Sequence, residues 1–574
     1  MRNQFVPKAI ILTVLLFAFV VPLPAGPAAR APKAGDTLSV ALVQTTDVHA
    51  RILPWDYLGN EPANVGLAKV AAYVRRVRAE NPNVILIDNG DTLQGTPLGY
   101  YFALEKPEGI HPMIAAMNAM GYDSMTVGNH EYNFGLAVLE RCERDARFPF
   151  LSANTYRTGQ TEPRFKPYII KEFKGARIGI LGLTTPAIPG WELKENYAGL
   201  EFHSTVEEAK KWVRVLREQE SVDAVVVNTH EGYEADLDTG QINDSAFENQ
   251  AYAMLQQVDG IDVLLTGHAH RHVEPRRVPS RADKNILRPA LTAQGYRWAE
   301  YATRIDLEFR REKGGWKLVR TGGKSVAMDD GVPPDPEIVA LAQPAHDEVL
   351  RWLDSAIGTA GEDFTTDTIY VEDNPLLDLV HAAVREATGA QLSLLSYLPG
   401  RYITLSKGPL IIRDVYKFYF YENTAMKLVV KGRDIRAALE HAAKFWDAPK
   451  WDAEAGRFNL APTPEFRLYN YSTLSGANYA VDLSKPPGQR IMHLTIEGRP
   501  VVPDADYTLA VSNYTAAGGG GYRMLKDKPT EPIPIRDIRA LVVDYVRKRG
   551  TVYPACDYNW YLALPCRLEL PSRR

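Results

Sequence analysis

At 574 residues the chain is too long for one hydrophobic core and fits two domains, or three small ones. Hydrophobic and charged contents of 45% and 24% are those of a folded globular protein and exclude a disordered or fibrous one. A formal net charge of -4 without a long basic run lacks the footprint of a nucleic-acid groove, so no nucleic-acid polymer is expected as a partner; a small anionic substrate is compatible.

Residues 1–35 read as a signal peptide. Arg2 and Lys8 form a basic front, residues 9–21 are apolar apart from Thr13, and Ala25-Gly26-Pro27-Ala28-Ala29-Arg30-Ala31 supplies small residues for cleavage. The apolar run is short for a membrane span, so the mature protein is expected to be exported, periplasmic or secreted, with no stable membrane anchor. An uncleaved anchor is the alternative. Cys556 and Cys566 could close a loop, leaving Cys142 unpaired. Three cysteines so spaced make no zinc site, so a metal would be held by histidine, carboxylate and amide.

From Thr37 onward, apolar runs alternate with turns and helices. Residues 38–43 read as a buried strand, 65–79 as an amphipathic helix, 84–87 as a strand and 111–120 as a helix. Further apolar runs cover 178–183, 224–227 and 263–265, with 206–218 helical between them. The pattern is a layered α/β domain over residues 36–330. Val332-Pro333-Pro334-Asp335-Pro336 breaks it, and 337–357 reads as one long connecting helix within a linker spanning 331–359. Residues 360–574 form a second α/β unit with apolar runs at 376–384 and 426–430.

Polar residues follow the strands of the first unit in a consistent way. Asp47 and His49 follow the first strand, Asp91 the second, Asn129 and His130 the third, His230 the run ending at Thr229, and His268 and His270 the run ending at Gly267. Ligands bind outside the carboxyl ends of strands in open α/β sheets, so these groups can converge on one crevice. The other histidines, at 111, 203, 272, 346, 381, 441 and 493, lack such a context and read as ordinary surface or core residues.

Two carboxylates, one amide oxygen and four imidazoles suffice for two divalent cations if Asp91 is shared. Asp47, His49 and His270 would complete one site and Asn129, His230 and His268 the other. Paired ions clamp a phosphate and lower the pKa of a bridging water, which implies phosphoester hydrolysis by a metal-bridging hydroxide. The nitrogen and oxygen donors suit manganese, zinc or cobalt. His130 is spare, and can donate to a phosphoryl oxygen or protonate the leaving group.

In the second unit, Tyr416-Lys417-Phe418-Tyr419-Phe420-Tyr421-Glu422-Asn423-Thr424 is dense in aromatics and can be read as an alternating strand with Phe418 and Phe420 in the core. Asn513-Tyr514-Thr515-Ala516-Ala517-Gly518-Gly519-Gly520-Gly521-Tyr522 sets a tyrosine beside four glycines, which is either a flexible loop or a surface for a flat ring ligand.

Asp47-Val48-His49, Gly90-Asp91, Gly128-Asn129-His130-Glu131, His230 and Gly267-His268-Ala269-His270 together resemble the calcineurin-like metallophosphoesterase superfamily, and the second half resembles the carboxyl-terminal domain of the 5′-nucleotidase family. The resemblance implies a four-layer α/β/β/α sandwich followed by an α/β substrate-binding domain. Asp88-Asn89-Gly90-Asp91-Thr92-Leu93-Gln94-Gly95, Tyr469-Asn470-Tyr471 and Pro487-Gly488-Gln489-Arg490 look like the branch that opens 2′,3′-cyclic nucleotides and cleaves 3′-nucleotides. It also implies that Tyr421 and Tyr514 sandwich a nucleotide base, with Asn423 and Arg401 as further contacts. Many exported 5′-nucleotidases have aspartate where this chain has Asn133; the amide can orient His130 but adds no charge. Gly520 stands where they carry an aspartate for ribose hydroxyls. Alternatives within reach of the same residues are a broad 5′-nucleotidase, a thiosulfohydrolase of sulfur oxidation, and a binding protein without turnover.

Overall fold

The computed structural model describes residues 32–563, apart from 245–246, 279–288, 400–401, 420, 448–449, 453–456, 460–461, 464–465 and 534–535. Most of the leader, Arg401, Phe420 and Cys566 lie outside the described residues, and with them the base contact assigned to Arg401 and the Cys556–Cys566 loop. Among the described residues no helix is long and apolar enough to cross a membrane.

Two six-stranded sheets face each other in the first half. One runs Gly315–Ala327, Tyr301–Glu312, Thr37–Thr45, Val84–Asp88, Ser124–Thr126, Phe150–Leu151; the other runs His272–Arg277, Leu291–Gly295, Val263–Thr266, Ala224–His230, Ala176–Thr184, Tyr168–Phe173. In the first sheet the strands from Thr37–Thr45 to Phe150–Leu151 run parallel and Tyr301–Glu312 pairs antiparallel on both sides; in the second the four strands from Leu291–Gly295 to Ala176–Thr184 run parallel and the two edge strands antiparallel.

The alternation along Thr37–Thr45 explains the layering, because side chains of opposite parity point to opposite faces. Leu38, Val40 and Leu42 join Ile85, Ile87, Ile178, Ile180 and Val226 in a core between the sheets. Ala41 and Val43 face outward, onto the helix Leu67–Glu80 and the helix Pro112–Met120. On the far side Leu181, Val225, Val227 and Leu264 pack against the helices Thr205–Arg214 and Ala251–Gln257. Strands buried on both faces need the continuous apolar runs seen in the sequence.

The connecting helix is shorter than its apolar spacing predicts. It spans Pro336–Leu353, capped by Asp335 Oδ1, which accepts from Glu337 N at 2.9 Å. Residues Ala356–Ala360 then form a strand antiparallel to Gly408–Ile411. A Cβ at Gly358 in this strand would meet Val546 Cγ1 at 2.7 Å, so its packing on the helix Ile538–Arg549 needs glycine.

The second half is built on a five-stranded sheet ordered Ser472–Ser475, Leu392–Ser396, Asp506–Ser512, Ala425–Lys431, Thr530–Glu531. The helix Pro375–Thr388 packs on it. The aromatic segment 416–424, which could be read as a strand, begins instead as the end of the helix Ile412–Phe418. Ile412, Val415 and Tyr416 are buried at helical spacing, Phe418 is also buried, and Tyr419 is buried just past the helix end.

The two halves share one apolar core. Trp352 of the connecting helix packs on Tyr100 at 6.1 Å between ring centroids and on Tyr416 at 5.9 Å, joining both domains. The Arg539 guanidinium lies 5.0 Å from the Tyr100 ring and 4.3 Å from that of Tyr416.

Candidate active site

The central strands of both sheets end at one place. Five of the seven sequence-derived ligands, Asp47, His49, Asp91, His268 and His270, have positive φ, from 49° to 64°. Such backbone is sparsely populated for residues other than glycine and concentrates at functional sites. The turns interlock closely: a Cβ on Gly90 would lie 2.5 Å from Gly128 N.

Two clusters of donor atoms result, each within 4.8 Å: Asp47 with His49 and His270, and Asp91 with His230 and His268. Within the first, His270 Nε2 lies 3.4 Å from Asp47 Oδ1 and 2.9 Å from His49 Nε2. Within the second, His230 Nε2 lies 3.1 Å from Asp91 Oδ2 and 3.2 Å from Asn129 Oδ1. All seven residues are therefore brought together.

The outer atoms of these rings are already engaged, as metal ligands require. His230 Nδ1 is 2.6 Å from the Asn89 carbonyl and His49 Nδ1 is 3.0 Å from the Gln94 carbonyl, so each ring turns Nε2 inward. His268 Nε2 contacts Glu248 Oε1 at 2.9 Å, leaving Nδ1 for an ion. The donor set and its outer contacts fit two divalent cations.

The electrostatics point the same way. Burial opposes charge on Asp91, yet the neighbouring His230 and His130 hold its carboxyl well below the usual range. Burial also opposes charge on His230, but Asp91 outweighs it and lifts the imidazole to about 10. His49, buried and beside His270, is pushed down to about 3 and stays neutral. Without cations, protons on histidine neutralise the buried carboxylates.

His130 stands at the rim. Its Nε2 is 3.9 Å from Asp91 Oδ2, its ring centroid 5.3 Å from that of His49, and its N–H donates to Asp91 Oδ1 at 2.8 Å. Asn133 Oδ1 lies 2.6 Å from His130 Nδ1, where the sequence resemblance put an orienting group.

A cavity of about 390 Å³ runs from this rim into the second domain. His130, Trp191 and His268 line one wall, and Tyr421, Asn423 and Tyr514 the other. Tyr469, which the sequence marks only as part of the Tyr469-Asn470-Tyr471 phrase, meets Tyr421 edge to face at 6.0 Å. Tyr514 Oη accepts from Gly520 N at 2.8 Å, so the glycine run is tied to the aromatic ring.

Three acidic residues were missed. Glu131 accepts backbone N–H groups from Asp91, Thr92, Leu93 and Gly128 at 2.7 to 3.1 Å. It lies inside the Gly128-Asn129-His130-Glu131 motif, so its position was the available signal. Glu192 and Glu248 come from loops remote in sequence, with no local pattern to mark them.

Residues 41–272 match the calcineurin-like phosphoesterase family and residues 356–527 the C-terminal domain of 5′-nucleotidase. The chain is thus a metallophosphoesterase joined to a 5′-nucleotidase C-terminal domain, a metal-dependent nucleotide phosphohydrolase of the 5′-nucleotidase family.

Among similar proteins, the 2′,3′-cyclic-nucleotide 2′-phosphodiesterase/3′-nucleotidase of Haemophilus influenzae is 28% identical over 92% of this chain and 88% of its own length. The trifunctional nucleotide phosphoesterase protein YfkN of Bacillus subtilis is 28% identical over 96% of this chain, which spans only 40% of that protein. A crystal structure from Staphylococcus aureus, described as a putative 5′-nucleotidase, aligns with a TM-score of 0.77 at 25% identity, covering 92% of this chain and 100% of that one.

Proposed function

We propose that the protein opens 2′,3′-cyclic nucleotides and then removes phosphate from the resulting 3′-nucleotides. Asp47, His49 and His270 would hold one cation, Asn129, His230 and His268 a second, with Asp91 shared. When bound, such a pair supplies Lewis acidity and an activated water. The chain's own residues do the rest. Tyr421 and Tyr514 hold the base. His130, with Nε2 toward the cavity, donates to a phosphoryl oxygen or to the departing ribose oxygen as the P–O2′ bond breaks.

The observation that carries the cyclic-nucleotide reading is at Gly520. It has φ 62°, and a side chain there would run into Asn470 Oδ1 at 2.7 Å. No carboxylate can project from this position, so a substrate carrying negative charge on its 2′,3′ edge meets no repulsion from it, whereas a free diol gains no acceptor. Similarity to the Haemophilus influenzae enzyme supports the same reading. Export rests on residues 1–35 of the sequence.

The test is turnover of 2′,3′-cyclic AMP, 3′-AMP and 5′-AMP by metal-stripped protein refilled with manganese, zinc or cobalt. Preference for the first two, lost on stripping and in Asp91→Ala, supports the proposal. Preference for 5′-AMP would make the protein a 5′-nucleotidase instead.

A further inference from the structure

Behind His130 the side chain of Asn133 is itself held. Its Nδ2 donates to Glu192 Oε2 at 2.5 Å, across 59 residues of sequence, while its Oδ1 faces His130 Nδ1 at 2.6 Å. Glu192 is only 7% exposed. Its other oxygen accepts from Leu193 N at 2.7 Å and from Asn196 Nδ2 at 2.8 Å.

We propose that Glu192 is a positioning residue for the imidazole, acting through Asn133 to fix which nitrogen of His130 faces the reaction. An ionised carboxylate only accepts hydrogen bonds, and all three groups turned toward Glu192 are nitrogens that donate. The end of Asn133 facing Glu192 is therefore its NH₂. An amide pinned at that end presents its oxygen to His130, so His130 Nδ1 carries hydrogen. Nδ1 keeps its hydrogen, and Nε2, 3.9 Å from Asp91 Oδ2, is the nitrogen that takes up a proton before donating it.

A neutral amide at 192 would abolish this control. Glutamine offers both a donor and an acceptor, so Asn133 could turn over and present NH₂ to His130, which then favours the opposite tautomer. The same contact ties the segment carrying Trp191, a wall of the cavity, to the imidazole. The proposal rests on the site being a phosphoesterase and not on the identity of the nucleotide.

The test uses full-length protein with Glu192→Gln, Asn133→Asp, and both together. Nitrogen-15 spectra of labelled histidine side chains in zinc-loaded protein report which His130 nitrogen holds hydrogen. Turnover of bis(p-nitrophenyl) phosphate by manganese-loaded protein reports the reaction without a base to bind. Wild type should keep hydrogen on Nδ1 with Nε2 as the exchanging nitrogen, and Glu192→Gln should show a mixture of the two, with kcat reduced roughly ten- to hundredfold and KM changed less than about twofold. Asn133→Asp sets two carboxylates against each other and should lose at least as much. In the double variant the introduced glutamine amide can donate to the introduced aspartate, and kcat should recover by about tenfold or more over Asn133→Asp.

An unchanged tautomer in Glu192→Gln, or equal rates for Asn133→Asp and the double variant, would overturn the proposal and leave Glu192 as a loop brace. If Glu192→Gln folds poorly, the comparison of the other two variants decides. If the wild type cleaves the diester but no nucleotide, the functional reading fails while this test stands. If it cleaves neither, the tautomer spectra decide alone.

Discussion

The carboxylate of Glu131 lies behind Asp91 and accepts its backbone N–H at 2.8 Å. The same side chain takes the N–H of Gly128 at 2.7 Å, so one residue clamps the loops that carry Asp91 and Asn129. In Glu131→Gln a single oxygen would have to replace two, and the NH₂ would confront backbone donors. Metal affinity should fall roughly ten- to hundredfold, as measured by calorimetric titration of metal-free protein. Wild-type affinity in this variant would show that the loops hold themselves.

Metal binding should release protons. Despite burial, Asp91 keeps His230 charged in the metal-free protein up to about pH 10, and an ion can take the nitrogen only when the proton leaves. Titration at pH 8 in buffers of differing ionisation enthalpy should therefore show about one proton released from His230. Binding without proton release would contradict that assignment.

Stability should fall in mild acid for a reason remote from the site. His381 is fully buried between Ser393 Oγ at 2.7 Å and Thr473 Oγ1 at 3.1 Å, and burial pushes it down to about 3. Its folded value lies below the ordinary 6.5, so the unfolded chain takes up a proton that the fold refuses. That contribution is complete above pH 6.5 and is lost as pH falls toward 3. His111, buried and pushed to about 4, acts in the same direction. His381→Gln should flatten the acid limb of a melting-temperature profile measured from about pH 7 to 4; an unchanged slope would exclude His381 as a source.

Recognition of the base should depend on the two tyrosines. A stacked base is worth about 1–3 kcal/mol per aromatic, so Tyr421→Ala or Tyr514→Ala should raise KM for a nucleotide roughly five- to a hundredfold. Selectivity for nucleotide over bis(p-nitrophenyl) phosphate should fall in parallel. Equal losses on both substrates would mean that the rings support the fold.

The ligand positions were legible because short apolar runs ending in glycine and a polar pair are rare except at strand ends that bind something. Asp47, Asp91 and His268 announce themselves locally. Glu192 does not: its partner Asn133 lies in another loop, and only tertiary packing joins them. The start of the aromatic segment reads as a strand because phenylalanines at 418 and 420 alternate, while the buried spacing 412, 415, 416 that enters it is helical. The connecting helix was overextended because alanine and isoleucine at 356 and 357 continue its apolar pattern, while the strand pairing that ends it comes from residues near 410.

The cavity between the domains has its reacting groups on one wall and its aromatic rings on the other, each wall built from a separate stretch of chain. A mutation near Tyr421 or Tyr514 can therefore redirect which molecules are admitted without disturbing Asp91 or His230. A lineage with this construction can explore new substrates at little risk to its chemistry, and a laboratory can do the same by varying the aromatic wall alone.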